Sequence, residues 1–168
     1  MSVTFVNTAI SYTSTTEFCI GCHEMRTTVY REYKNTTHFK NASGVQASCS
    51  DCHVPHAWYL TLYRKVLAVK DVYHHLQGTI ETQEKFEAQR LAMAERVWES
   101  MKNSNSLECR NCHQFEAMDL RKQRRRAFRQ HMSGMKNGET CIDCHKGIAH
   151  KKPEQAHEKQ NDDEEILF

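Results

Sequence analysis

Cys19-Ile-Gly-Cys22-His23, Cys49-Ser-Asp-Cys52-His53, Cys109-Arg-Asn-Cys112-His113 and Cys141-Ile-Asp-Cys144-His145 are four copies of one pattern. In each, two cysteines stand two residues apart and a histidine follows the second. The copies use all eight cysteines of the 168-residue chain and four of its eleven histidines. At this composition roughly 0.02 matches would arise by chance. The pattern is the attachment signal for c-type haem. Each thiol adds to one vinyl group, the two-residue gap presents both sulfurs to one porphyrin edge, and the adjacent imidazole becomes the proximal iron ligand. Competing readings fit less well. A zinc ribbon uses Cys-x-x-Cys pairs but needs no histidine after each one. A disulfide framework rarely repeats one short spacing four times, and no βαβ pattern surrounds any pair as in a thioredoxin-like site. Four covalently bound haem c groups are therefore expected.

The motifs are themselves arranged in a repeat. Their first cysteines lie at 19, 49, 109 and 141, in steps of 30, 60 and 32, which reads as two haem pairs joined by a longer connector. His38 lies between the motifs of the first pair and His131 between those of the second. His56 and His150 follow the last motif of each pair. These four, in equivalent places, are the candidates for the second axial position; two imidazoles give a low-spin centre suited to electron transfer. Taken singly each could be a surface histidine, as His74, His75 and His157 are expected to be. Met25, two residues after His23, could also reach an iron through its thioether, or simply fill space.

Only 39% of residues are apolar and the mean hydropathy is −0.76, so a thin aliphatic core is expected, with something else filling the interior. The net charge of +2 and pI near 8.1 give no argument for nucleic acid. No run approaches the ~18 consecutive apolar residues of a membrane span, and no secretory signal is present. Trp58, Leu62, Val66, Val69 and Tyr73 recur at helical spacing over Trp58–Leu76, entered through Pro55. A second helix is expected within Thr79–Asn103, capped by Thr82, with Phe86, Met93, Val97 and Met101 on its core side. Arg121-Lys-Gln-Arg-Arg-Arg-Ala-Phe-Arg129 is a basic run, either a solvated face or a docking site for an acidic partner or anionic lipid. The fold expected is a mainly α multihaem cytochrome c with little or no sheet. It comprises two di-haem halves (13–57 and 104–153) joined by long helices (58–103), within a domain of 13–153, followed by a flexible acidic tail at 154–168.

Several stretches resemble the NapC/NirT/NrfH family of membrane-anchored tetrahaem quinol dehydrogenases, and its NapC branch most. They are Thr16-Glu-Phe-Cys-Ile-Gly-Cys-His-Glu-Met25, Cys49-Ser-Asp-Cys-His-Val-Pro-His56, Glu108-Cys-Arg-Asn-Cys-His113 and Thr140-Cys-Ile-Asp-Cys-His-Lys-Gly-Ile-Ala-His150. Glu84-Lys-Phe-Glu-Ala88 and Trp98 also fit, and the likeness runs from about Tyr12 to Pro153. The resemblance implies a location on the periplasmic face of the bacterial cytoplasmic membrane. It implies oxidation of menaquinol or ubiquinol, and delivery of electrons to a periplasmic terminal reductase, nitrate reductase first. It places the first haem at the quinol site, with Met25 as its ligand in competition with His150. His131 and His38 would serve the third and fourth haems, and His56 would be a further distal ligand. Asp71 would take the quinol proton, with Arg64 or Lys65 orienting the quinol; without that role these charges are ordinary helix-surface pairs. Residues 1–12 would follow a membrane anchor that this sequence does not contain. The rival reading is a soluble periplasmic shuttle without quinol chemistry. Reductase catalysis would need an iron left open, which the supply of histidines disfavours.

Overall fold

A computed structural model describes residues 2–154; the acidic tail expected at 154–168, with His157, lies outside the described residues except for Glu154. Among the described residues every regular element is helical. α1 (Ser2–Tyr12), α2 (Thr16–Cys19), α3 (His23–Thr27), α4 (Val29–Tyr33) and α5 (Cys49–His53) lead into two long helices, α6 (Trp58–Leu76) and α7 (Gln83–Asn103). α8 (Leu107–Arg110), two 3-10 turns (Phe115–Ala117 and Leu120–Lys122), α9 (Arg125–Asn137) and α10 (Cys141–Cys144) follow. The chain divides into two compact units, one of residues 1–94 with 147–168 and one of residues 95–146.

The short helices are set by local chemistry. α2, α5, α8 and α10 each carry cysteines of a haem motif, and two of them begin with matching caps. At α5 the Ser48 hydroxyl accepts from the Asp51 amide while the Asp51 carboxylate accepts from the Ser48 amide at 2.7 Å. At α10 the Asp143 carboxylate accepts from the Thr140 amide at 2.8 Å and its hydroxyl at 2.9 Å. Both sequences read Ser/Thr-x-x-Asp, the capping-box pattern with Asp in place of Glu. α7 ends where Asn105 and Ser106 turn left-handed, with φ of 53° and 50°; such a pair of non-glycine residues is uncommon and turns the chain directly into α8. α9 ends at Gly138, φ 70°, where the Glu139 amide donates to the Gly134 carbonyl at 2.9 Å. This glycine-capped end delivers Thr140 to the start of α10.

α6 and α7 occupy the spans expected, and the Thr82 hydroxyl accepts from the Lys85 amide at 3.3 Å as a cap. Phe86 is buried and Met93, Val97 and Met101 are half-buried, so α7 presents the expected side inward. On α6 the periodicity finds the helix but not its packing side. Trp58, Leu62, Val66, Val69 and Tyr73 are exposed, Trp58 to 75%, while Thr61 is buried and Arg64 and Lys65 are half-buried. The reason is polar: the Thr61 hydroxyl donates to the Pro55 carbonyl at 2.5 Å and Lys65 Nζ donates to the Thr13 carbonyl at 2.5 Å, which turns those residues inward.

Candidate functional site

The aliphatic core is as thin as the composition suggested. Among the described residues the buried hydrophobic side chains are Tyr33, Phe86 and Ile142. Among the described residues nineteen large apolar side chains remain exposed, many more than the three that are buried. No disulfide joins any of the eight cysteines and none is fully buried, as thioether formation demands. Among the described residues no group of three or more His, Cys, Asp or Glu side chains converges as a zinc site would.

In the first unit, the motif helices α2 and α5 meet. The Cys49 amide donates to the Thr16 hydroxyl at 3.5 Å. The Cys19 and Cys49 thiols share a hydrogen bond that lowers Cys49 and raises Cys19. In the second unit the Ile142 amide donates to the hydroxyl of the fully buried Ser106 at 3.1 Å. This ties α10 to the start of α8, and Cys141 lies close enough to Cys109 to help raise its thiol, after burial. Thr16 and Ser106 both stand three residues before the first cysteine of a motif. Both draw a second motif against it.

The histidines gather in two places. His53 and His150 have ring centroids 6.1 Å apart with planes inclined by 27°. Two imidazoles bonded from opposite sides to one metal, at about 2.0 Å each, place their ring centres roughly 6 Å apart. Burial, then the nearby His150 and Arg64 charges, push the His53 imidazole down to about 4. Burial also lowers His150, whose Nδ1 is buried without a hydrogen-bond partner. Both rings are therefore neutral at pH 7, the form that binds metal. This sets His150 beside the second motif, not the first, where the resemblance had it compete with Met25. In the second unit the His131 ring lies 5.9 Å from His145 and 6.1 Å from Phe115. Burial, followed by the His131 and His113 charges, lowers His145. His131 Nδ1 is 2.6 Å from the Gln123 Oε1, a carbonyl that only accepts. Nδ1 therefore carries the proton, and Nε2 presents its lone pair, the orientation a second contact gives a metal-binding imidazole. His113 borders a cleft with Cys112, Gln114, Ala117 and Met118. His38 is half-buried, its carbonyl accepting from Tyr33 Oη at 3.1 Å and from the Ala47 amide at 3.0 Å. His56 is exposed, 3.8 Å from Asp51, and Met25 is half-buried beside the exposed His23. The donor set and its spacing fit covalently held haem.

Around the first motif the structure adds residues that sequence reading passed over. Glu24, directly after His23, is 4% exposed and bonded to His75 Nδ1 on α6. Burial works to raise the Glu24 carboxyl; the hydrogen bonds from His75 and its own amide, and the His75 and His23 charges, outweigh it and leave it lowered. Nothing in the repeat marks His75, and only the placement of an acid beside a haem motif could have signalled Glu24. Lys65 lies near the Cys19 thiol, and burial pulls its ammonium below the usual range. Arg64 Nη1 is 3.8 Å from Asp71 Oδ2, and Asp71 is 68% exposed. Asp71 and His75, one turn apart, share a face of α6, so the Glu24–His75 bond holds that face against the first motif.

The sequence model for the NapC/NirT cytochrome c family, N-terminal region, matches residues 1–155. The cytochrome c-type protein NapC of Escherichia coli (strain K12) is 53% identical over 148 residues, 88% of this chain and 74% of its own length. The denitrification system component NirT of Stutzerimonas stutzeri is 51% identical over 156 residues, 93% of this chain and 78% of its own. A protein of tetraheme cytochrome-c type from Allochromatium vinosum is 50% identical over 148 residues, 88% and 80% of the two chains. No solved structure matches the chain. With four haem-attachment motifs on an all-helical frame and a family match running almost end to end, the chain belongs to the NapC/NirT cytochrome c family and carries covalently bound haem c.

Proposed function

We propose that the protein is a tetrahaem quinol dehydrogenase at the periplasmic face of the cytoplasmic membrane, feeding electrons from menaquinol or ubiquinol to a periplasmic terminal reductase. The NapC resemblance favours nitrate reductase, and a relative named for a denitrification system supports respiration on nitrogen oxides. What supports the quinol reading is the Glu24–His75 bond, which ties α6 to the residue after the first motif one turn from Asp71, itself 3.8 Å from Arg64.

In this reading the eight motif cysteines hold four haems, and His23, His53, His113 and His145 are the proximal ligands. His150 completes the second site and Met25 the first, with His56 the alternative beside the second motif. By the same ring geometry His131, 5.9 Å from His145, serves the fourth, where the resemblance implies the third for it and the fourth for His38. Haem iron, when bound, accepts and passes single electrons. The chain's own residues handle the rest. Oxidation takes two electrons and two protons from the quinol; Asp71, exposed and paired only loosely with Arg64, accepts one proton from a quinol hydroxyl and the other passes to solvent. Arg64 steadies the resulting charge changes and orients the oxygen. Lys65, engaged with the Thr13 carbonyl, anchors the α1–α2 junction under the site.

The test is quinol-driven haem reduction in membranes, followed at the haem α-band. Slowing of about tenfold or more in Asp71→Asn, with dithionite reduction unchanged, supports the site. Normal reduction by dithionite with none by a menaquinol analogue would overturn quinol oxidation and leave a periplasmic shuttle fed by a protein donor.

A further inference from the structure

The segment that carries His150 has no helix of its own; α10 ends at Cys144, and residues 151–153 have no regular structure. What fixes it is a charge network. Arg90, on α7, is 7% exposed at its side chain. Its guanidinium grips Glu32 of α4 with both ends, at 3.0 and 2.7 Å. It also holds Glu87 at 2.6 and 2.8 Å and lies over the Phe86 ring at 5.1 Å. The Glu32 carboxylate accepts from the Lys151 amide at 2.8 Å, and Arg90 Nη1 donates to the Lys151 carbonyl at 3.3 Å. Both main-chain polar groups of the residue after His150 are thus held by one ion pair.

We infer that the Arg90–Glu32 pair positions His150: by clamping the Lys151 main chain it sets the imidazole beside that of His53, with ring centroids 6.1 Å apart. The inference rests on the reading of His53 and His150 as ligands of one haem. A buried ion pair contributes little net stability compared with apolar side chains of the same volume, so stability alone does not account for this one. Its satisfied geometry and its grip on main chain rather than side chain point to placement. Gly147, at φ 79°, makes the turn that allows it; a Cβ there would come 3.2 Å from Lys152 Cγ. Arg90 and Glu32 are positioning residues and touch neither quinol nor haem in this reading.

The test is the spin state of the purified ferric protein, read by EPR and optical spectra, together with hydrogen exchange at the Lys151 amide. Three variants of the full chain are compared: His150→Ala, the apolar double variant Arg90→Met with Glu32→Leu, and their combination. The expected result is that His150→Ala removes one haem's share of the low-spin signal. The double variant removes much of the same share with all four haems attached, exchange at Lys151 accelerates, and the combination loses no more than His150→Ala alone. Added imidazole then restores the low-spin signal in both. If His150→Ala alters the spectrum and the double variant does not, the clamp is overturned and the ligand reading stands. If His150→Ala itself changes nothing, the ligand reading fails and the inference fails with it. Should the double variant not accumulate, Glu32→Ala is read in the same way, and a wild-type spectrum there also overturns the clamp.

Discussion

Replacing Gln123 by leucine removes the hydrogen bond to His131 Nδ1 and leaves the ring's contacts with Phe115 and His145 in place. The Gln123 carbonyl sits 2.6 Å from Nδ1, and leucine keeps the bulk but cannot accept. Outer contacts of this kind are worth about 10- to 100-fold in metal affinity. A proton-accepting partner makes an imidazole more basic, which favours the oxidised iron. Its loss raises the potential of that haem, by at most roughly 60–120 mV if the whole effect falls on the ferric form, since a tenfold change is about 59 mV for one electron. The assay is a potentiometric titration followed by EPR, with His131→Ala beside it. Gln123→Leu is expected to keep all low-spin signals and shift one of them upward. His131→Ala is expected to convert that same haem to high spin. A titration of Gln123→Leu that overlays the wild type would refute the reasoning that this contact tunes the ligand, and an unaltered spectrum in His131→Ala would remove His131 from the iron altogether.

The remaining predictions concern the frame and the partners. Asp143→Ala removes both cap bonds of α10 and the 3.0 Å ion pair with Lys102, at a cost of about 1–2 kcal/mol to stability, read as a lowered melting temperature with haem content unchanged. Glu24 and Asp143 both have lowered carboxyls in the fold; at Asp143 burial opposes this and the Thr140 and Lys102 contacts outweigh it. The stability they contribute is therefore complete above the unfolded value of about 4 and is lost as the pH falls through their lower folded values. Acid unfolding of Glu24→Gln should lose part of that dependence, and an unchanged profile would show the pair to be idle. Arg124, Arg125, Arg126 and Arg129 are exposed and make no ion pair among the described residues. If they dock an acidic acceptor, reversing three of them slows electron transfer to it about tenfold or more at low salt, with the difference vanishing at high salt. Equal rates at low salt would mark the run as a solvated face. Met25→His should lower the potential of one haem, since thioether ligation raises it; four unmoved potentials would exclude Met25.

Chemistry written in contiguous residues was legible in the sequence. Cys-x-x-Cys-His declares its cofactor because attachment needs two sulfurs and an imidazole within one turn, so spacing along the chain is spacing in the site. The long helices were legible for the same local reason, and the thin core followed from composition. What tertiary structure decided was every relation between segments far apart in sequence. His150 stands with His53 because Arg90 and Glu32 hold Lys151, a bond made across 119 positions. His75 meets Glu24, and α6 turns Thr61, Arg64 and Lys65 inward in place of its apolar stripe, because bonds to Pro55, Thr13 and the first motif outweigh the pattern that defined the helix. Such contacts leave no periodic mark: a ligand on a distant segment needs only to arrive at the right distance, and the residues that bring it there lie wherever the fold passes.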